Sequence, residues 1–114
     1  MPFLKIQTNH TLSATDAKGL AGKASTLVAE QLGKPERYVM VSVEHNPAMQ
    51  FAGSDAPLAY LELKSIGLSD SVTADISSAL CQLIASETRV EPERVYIEFS
   101  DAPRKMWGWN SSTF

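Results

Sequence analysis

The sequence predicts an α+β fold in which a β-α-β unit occurs twice, giving a four-stranded mixed sheet with two helices on one face. The first observation is an internal repeat between residues 2–45 and 57–100. Each half begins with proline and an alternating strand, PFLKIQTN or PLAYLELKS, continues with a helical stretch, and turns through Pro-Glu-Arg into a second strand. The second observation is the length of 114 residues, which suits a single domain over residues 1–114.

The first half contains a strand, a helix and a second strand. Residues 3–8 alternate between apolar and polar side chains, which predicts a strand. Ser13 is a favourable N-cap, the apolar positions that follow recur every three or four residues, and Gly33 is suited to ending the helix. Gly19 and Gly22 lie inside this helix, where glycine is unfavourable, so we expect close packing against them.

The remaining elements follow the same order. Residues 37–45 predict a strand, residues 57–67 a third strand, residues 68–90 a second helix and residues 94–101 a fourth strand. Cys81 lies beside the apolar stripe of the second helix and is expected to be a buried, unreactive residue.

Apolar residues exceed what two helices could cover. Residues 38–43 and 95–99 read as apolar on both faces, so the uncovered face of the sheet should be a large apolar patch. We therefore expect this face to pack against other copies of the chain in a closed ring. The aromatic tail adds Met106, Trp107, Trp109 and Phe114.

Composition excludes several classes of function. The net charge is −3 and no basic stretch occurs, which argues against a nucleic acid or an anionic membrane surface as partner. No apolar run approaches the roughly 20 residues of a membrane span, and the amino terminus lacks a signal-peptide pattern. A single cysteine excludes an internal disulfide and a CxxC metal or redox site, so we expect a cytoplasmic protein.

Pro2 and Lys34 each permit two interpretations from the residues alone. Proline is tolerated at the start of a strand, but if Met1 is removed, the Pro2 nitrogen becomes a free secondary amine and hence a base. Lys34 follows a helix, where a cation is favourable and solvated, or it binds an anionic ligand.

An ordered set of short motifs spans nearly the whole chain. It comprises Pro2, GKP at 33–35, FAGSDAP at 51–57, KSIG at 64–67, RVYIEF at 94–99 and GWNSSTF at 108–114. In this set and its spacing the chain resembles the macrophage migration inhibitory factor family of the tautomerase superfamily. The resemblance implies a homotrimer with the sheets lining the centre, the helices outside and an active site at each subunit interface.

The resemblance also implies a reaction and a set of site residues. Met1 is removed, and Pro2 is the general base in the keto–enol tautomerisation of phenylpyruvate-like α-keto acids, with dopachrome-type isomerisation as a second reaction and no metal or organic cofactor. A pKa lowered by desolvation and by a nearby cation would keep the Pro2 amine neutral. The substrate-binding residues implied are Lys34 for the carboxylate and enolate, Ser65, Ile66 through its backbone, Tyr38, Trp109 and Phe114 as aromatic walls, and Tyr96 from the next subunit.

Glu98 departs from the family pattern, in which many members carry a substrate-binding asparagine at this position. A carboxylate there would repel a substrate acid unless Lys34 or a proton offsets it. The carboxylate at this position therefore leaves a second hypothesis open, a cytokine-like signalling or interaction protein with a vestigial pocket. The resemblance also permits this hypothesis, because the family includes immune mediators exported without a signal peptide. The sequence names no receptor. A ligand-binding regulatory module, and the shorter oxalocrotonate-type tautomerases with paired arginines, are further alternatives.

Overall fold

Each half of the chain forms one parallel β-α-β unit in the computed structural model, which describes residues 1–114. The two units join through antiparallel pairing of their first strands, so the sheet has the strand order β2-β1-β3-β4 and is mixed. The predicted α+β class is therefore confirmed. The elements are β1 Phe3–Thr8, α1 Ala14–Leu32, β2 Met40–His45, β3 Ala59–Ile66, α2 Thr73–Glu87, β4 Val95–Ala102 and a small hairpin of β5 Gly108–Trp109 and β6 Ser112–Thr113.

The core lies between the two helices and one face of the sheet. The side chains of β1 that point to the helices, Leu4 and Ile6, are fully buried, as are Leu61 and Leu63 beside them in β3. Burial of one such side chain stabilises the fold by about 1.5–3 kcal/mol. The helices contribute Leu20, Ala24 and Val28 from α1 and Ile76, Leu80 and Ile84 from α2.

The ends of α1 are fixed as the sequence predicts, and its C-terminus positions Lys34. The Ser13 hydroxyl accepts a hydrogen bond of 3.0 Å from the Asp16 N–H. Gly33 has a φ of 62°, in the left-handed region that ends helices, and the Lys34 N–H donates to the Ala29 carbonyl at 3.0 Å. The chain therefore leaves α1 at Lys34.

Two element boundaries differ from the sequence expectation. The predicted strand 37–45 begins only at Met40, because residues 36–38 form a 3-10 turn, which places Tyr38 in a turn. The predicted helix 68–90 begins with a separate 3-10 turn, Asp70–Val72, in which the Ser69 hydroxyl accepts the Ser71 N–H. The α-helix itself ends at Glu87.

The expectation of close packing at Gly19 and Gly22 was wrong. Both glycines are exposed, and a Cβ added at either position would meet no atom within 4 Å. The apolar stripe of α1 lies on the other side of the helix, so these glycines face outward.

The expectation of an apolar uncovered face was also wrong. Because side chains alternate along a strand, the valines of β2 and Val95, Ile97 and Phe99 of β4 point to the helices, while their neighbours, most of them polar, point away. We call the uncovered side the open face. It carries Phe3, Lys5 and Gln7 of β1, Met40, Ser42 and Glu44 of β2, Tyr60, Glu62 and Lys64 of β3, and Tyr96, Glu98 and Ser100 of β4.

Apolar exposure is confined to the two ends of the molecule. Met40, Met106 and Trp109 are exposed near the amino-terminal end of β1, and Tyr96 is exposed at the opposite end of the sheet, at the start of β4. No helix of the chain combines the length and apolarity needed to cross a membrane.

Candidate active site

Pro2 lies at the floor of a cleft at the amino-terminal edge of the sheet. The residue is fully buried, and its carbonyl accepts a hydrogen bond of 3.0 Å from the Met40 N–H, which joins the start of β1 to the start of β2. The 3-10 turn before β2 brings Tyr38 to the same edge. The cavity here measures about 220 Å³, and we call it the amino-terminal cleft. Its walls include Met1, Arg37, Tyr38, Trp107, Trp109 and Phe114.

Three aromatic rings form one wall of the amino-terminal cleft. The Tyr38 ring packs edge-on against Trp109 at 5.5 Å and against Phe114 at 6.0 Å, while Trp109 and Phe114 stack at 5.3 Å. The carboxy-terminal hairpin holds the last two rings in place, since the Phe114 N–H donates to the Trp107 carbonyl at 3.2 Å. The structure therefore brings together four of the predicted site residues, Pro2 and these three aromatic side chains.

The Met1 amine lies in this cleft and shows how the cleft affects the pKa of a terminal amine. It donates a hydrogen bond of 2.8 Å to the Tyr38 carbonyl. Burial, and secondly the positive charge of Lys34, lower the pKa of the Met1 amine below its ordinary value. A terminal amine in this cleft is thus held toward its neutral, basic form.

Lys34 is half-buried beside the amino-terminal cleft, at the end of β3. Its Nζ donates a hydrogen bond of 2.9 Å to the Ile66 carbonyl, which leaves two of its three N–H donors free. Lys34 also lines a cavity of about 170 Å³ with Ser65, which we call the serine cavity. The Ser65 hydroxyl is fully buried and has no hydrogen-bond partner within the protein. A ligand held by Lys34 in this cavity could therefore bond to Ser65 as well.

Tyr96 and Glu98 lie far from Pro2 within the protomer. Tyr96 is in register with Tyr60, and Tyr60 with Gln7, so Tyr96 lies five residues along and two strands across from Pro2. That separation is about 16 Å along the strands and about 10 Å across them. Glu98 is in register with Glu62, and Glu62 with Lys5, so Glu98 lies three residues along and two strands across from Pro2. The protomer alone does not bring these two residues to the amino-terminal cleft.

The Tyr96 end of the sheet has a cavity of its own. The Phe51 and Tyr96 rings lie 4.6 Å apart and line a space of about 280 Å³. Arg94 fixes the loop that carries Phe51, because its guanidinium donates to four backbone carbonyls, those of Phe51, Ser54, Ala56 and Pro57.

Glu98 is held by a tyrosine that the sequence did not single out. The Tyr60 hydroxyl contacts Glu98 Oε2 at 2.8 Å and Glu62 Oε1 at 3.1 Å. The hydrogen bond to Glu98, together with burial and the second carboxylate, raises the pKa of Tyr60. The Tyr60 hydroxyl therefore stays protonated and joins two carboxylates that face each other across β3 and β4.

Arg104 is the second residue that sequence reasoning missed. It begins the 3-10 turn after β4 and lines a cavity together with Lys34 and Ile66. The sequence places Arg104 directly after the repeat, in the segment APRKMWG, which is the only feature that could have drawn attention to it. Its position in the sequence does not reveal that it lines the same cavity as Lys34. The chain has no group of three His, Cys, Asp or Glu side chains arranged to hold a metal ion.

The fold and the cleft together define a class of protein, namely a tandem β-α-β domain with a buried proline at residue 2 under aromatic walls. Comparisons with known proteins give the family. The model of the macrophage migration inhibitory factor (MIF) family matches residues 1–114. The chain therefore belongs to the macrophage migration inhibitory factor family, as the resemblance of its motifs predicts.

Individual relatives match the chain over nearly their full lengths. A macrophage migration inhibitory factor homolog of Brugia malayi is 40% identical over 115 residues, covering 100% of this chain and 99% of the relative. The macrophage migration inhibitory factor of Meriones unguiculatus is 36% identical with the same coverage. A crystal structure of the Prochlorococcus marinus homologue superposes with a TM-score of 0.93 at 42% identity, covering 98% of each chain.

Proposed function

We propose that the protein is a keto–enol tautomerase of phenylpyruvate-like α-keto acids, with Pro2 as its general base. The observation that carries this proposal is the burial of Pro2 at the floor of the amino-terminal cleft, against Tyr38, Trp109 and Phe114. The Met1 amine in the same cleft has a lowered pKa because of burial and of the Lys34 charge, and the Pro2 amine would experience the same two effects. A base whose pKa lies near the working pH is what proton abstraction from carbon requires.

The reaction needs Pro2 to be the first residue. While Met1 is attached, the Pro2 nitrogen is an amide and the Met1 amine occupies the cleft against Tyr38. Once Met1 is removed, the Pro2 amine takes a proton from the carbon next to the keto group, and the electron pair of that bond forms the enolate. The same proton then passes to the enolate oxygen, which gives the enol and regenerates the amine. Dopachrome-type isomerisation would use the same base.

Lys34 supplies the positive charge for this step. Its two free N–H donors can hold the substrate carboxylate and stabilise the enolate as it forms. Its charge also lowers the pKa of the Met1 amine and would act on the Pro2 amine in the same direction. Tyr38, Trp109 and Phe114 would enclose the phenyl ring, and Ser65 and Ile66 lie next to Lys34.

A homotrimer would complete the site. Members of this family are typically homo-oligomeric. Tyr96 and Glu98 are too distant to reach Pro2 in their own protomer, so a role in catalysis requires that they serve the site of a neighbour. Tyr96 is 66% exposed and belongs to an apolar cavity at the far end of the sheet, which suits an intersubunit contact.

Deuterium loss from labelled phenylpyruvate tests the proposal. We expect Pro2→Gly to lower kcat/KM by about 10²–10⁴-fold, the range that general acid–base catalysis contributes. An alanine inserted before Pro2 should have the same effect, because it converts the proline nitrogen to an amide. The matched control is Pro57→Gly, which makes the same change at the exposed repeat-equivalent proline and should retain activity. Unchanged turnover in Pro2→Gly, with its mass and oligomeric state verified, would refute the assignment.

The alternative function is a cytokine-like signalling protein with a vestigial pocket. The observation that favours it is Glu98, whose carboxylate accepts a hydrogen bond of 2.8 Å from the Tyr60 hydroxyl and would repel an acidic substrate. Such a protein could act in the cytoplasm or after leaderless export. A cell-response assay in which Pro2→Gly is as active as the unmodified chain, together with no exchange of the phenylpyruvate label, would favour this function.

A further inference from the structure

Arg104 is an exposed cation without a partner in the protein. It forms no ion pair and no side-chain hydrogen bond. The neighbouring arginines differ, since Arg94 donates to four carbonyls and Arg37 stacks on the Tyr38 ring at 4.8 Å. An unpaired guanidinium retains its capacity for bidentate binding of a carboxylate.

The fold brings Arg104 to the cavity that Lys34 also lines. Ile66 pairs with Ala102 across β3 and β4, Lys34 bonds to the Ile66 carbonyl, and Arg104 follows Ala102 by two residues. The cavity has a volume of about 550 Å³, and we call it the two-cation cavity. Its other walls are Gly67, Asp101 and Pro103.

The charge of the two-cation cavity favours an anion. Asp101 is the only carboxylate in its walls, and its Oδ1 already accepts a hydrogen bond of 3.0 Å from the Leu68 N–H. Lys34 and Arg104 therefore leave a net positive charge. Gly67 has no side chain and Ala102 has only a methyl group, so these two residues leave space in the cavity for a ligand.

We propose that Arg104 is a specificity-determining residue that binds a second anionic group, so that α-keto dicarboxylic acids are preferred over monocarboxylic α-keto acids of the same chain length. This inference rests on the proposed function, in which Lys34 binds the carboxylate next to the keto group. The second carboxylate would lie at Arg104, and the reacting carbon would lie on the Pro2 side of Lys34. Aromatic α-keto acids would use only the first of these two anion contacts.

Two ligands of equal chain length test the role of Arg104. 2-Ketoglutarate carries a second carboxylate where 2-ketovalerate has a methyl group. We expect calorimetric titration of the unmodified protein to show tighter binding of 2-ketoglutarate. Arg104→Ala should weaken that binding by about tenfold, as for the loss of one charge-assisted hydrogen-bonded contact, and should change 2-ketovalerate binding little. Arg104→Lys should restore part of the affinity.

Lys105→Ala is the matched control, because it removes the same charge one residue away from an exposed position outside the cavity walls. The inference is overturned if 2-ketoglutarate binds no more tightly than 2-ketovalerate, if Arg104→Ala weakens both ligands equally, or if Lys105→Ala has an equal effect. Deuterium exchange at carbon 3 of labelled phenylpyruvate, measured in parallel, reports the proposed function separately. Absence of exchange would refute the tautomerase assignment, while the titrations would still decide the role of Arg104.

Discussion

Replacing the two exposed glycines of α1 with alanine should stabilise the protein. Gly19 and Gly22 lie inside a 19-residue helix, both have ordinary helical φ values, and an added Cβ would meet nothing within 4 Å at either position. Each change to alanine removes a helix-propensity penalty of about 0.5–1 kcal/mol without any steric cost. The double variant should therefore gain about 1–2 kcal/mol in free energy of unfolding.

Thermal unfolding at one fixed protein concentration measures this gain. For a chain of this size, about 4 °C per kcal/mol gives an increase in Tm of about 4–8 °C for the double variant. Gly33→Ala is the matched control, because its φ of 62° is unfavourable for a residue with a side chain, and it should lower stability by about 1–2 kcal/mol. A loss of stability in Gly22→Ala would refute the reasoning, since it would mean that this face of α1 packs against a neighbour.

Two further substitutions test the electrostatics of the site. Lys34→Met should move the acidic limb of the kcat/KM profile to higher pH, because loss of the nearby positive charge raises the pKa of the terminal amine, and an unmoved limb would contradict the link between the two groups. Tyr60→Phe removes the hydroxyl that contacts both Glu98 and Glu62, so these facing carboxylates lose a hydrogen-bond donor. Denaturant unfolding at pH 7 should then show a loss of about 0.5 kcal/mol in the free energy of unfolding, as for one partly exposed hydrogen bond, and an unchanged free energy would contradict this account.

Local patterns were sufficient to predict the elements and their connections. The N-cap at Ser13, the stop at Gly33 and the two Pro-Glu-Arg turns are signals within a few residues, and the structure contains a 3-10 turn at each Pro-Glu-Arg. The repeat then indicated two parallel units, which agrees with the observed pairing.

The sequence predicted the type of each element correctly but not always the direction in which its residues face. Residues 38–43 contain enough apolar side chains to suggest two apolar faces, yet the 3-10 turn removes Tyr38 from the strand and Ser42 points to the open face. The spacing of Gly19 and Gly22 likewise did not show that both residues face outward from α1.

Part of the candidate site could be predicted only because its motifs resemble a family. Nothing local links Pro2 to Trp109 and Phe114, which meet through a hairpin at the other end of the chain. The approach of Arg104 to Lys34 depends on the pairing of Ile66 with Ala102, so it became visible only in three dimensions.

The most direct test of the whole account is an NMR titration of the Pro2 nitrogen in protein labelled with ¹⁵N-proline and shown by mass to lack Met1. A neutral, catalytic amine should titrate below about 8, the value of an ordinary terminal amine, despite the greater intrinsic basicity of a secondary amine. A midpoint at or above about 9 would show that burial and Lys34 do not hold this nitrogen neutral, and would contradict the assignment of Pro2 as the base.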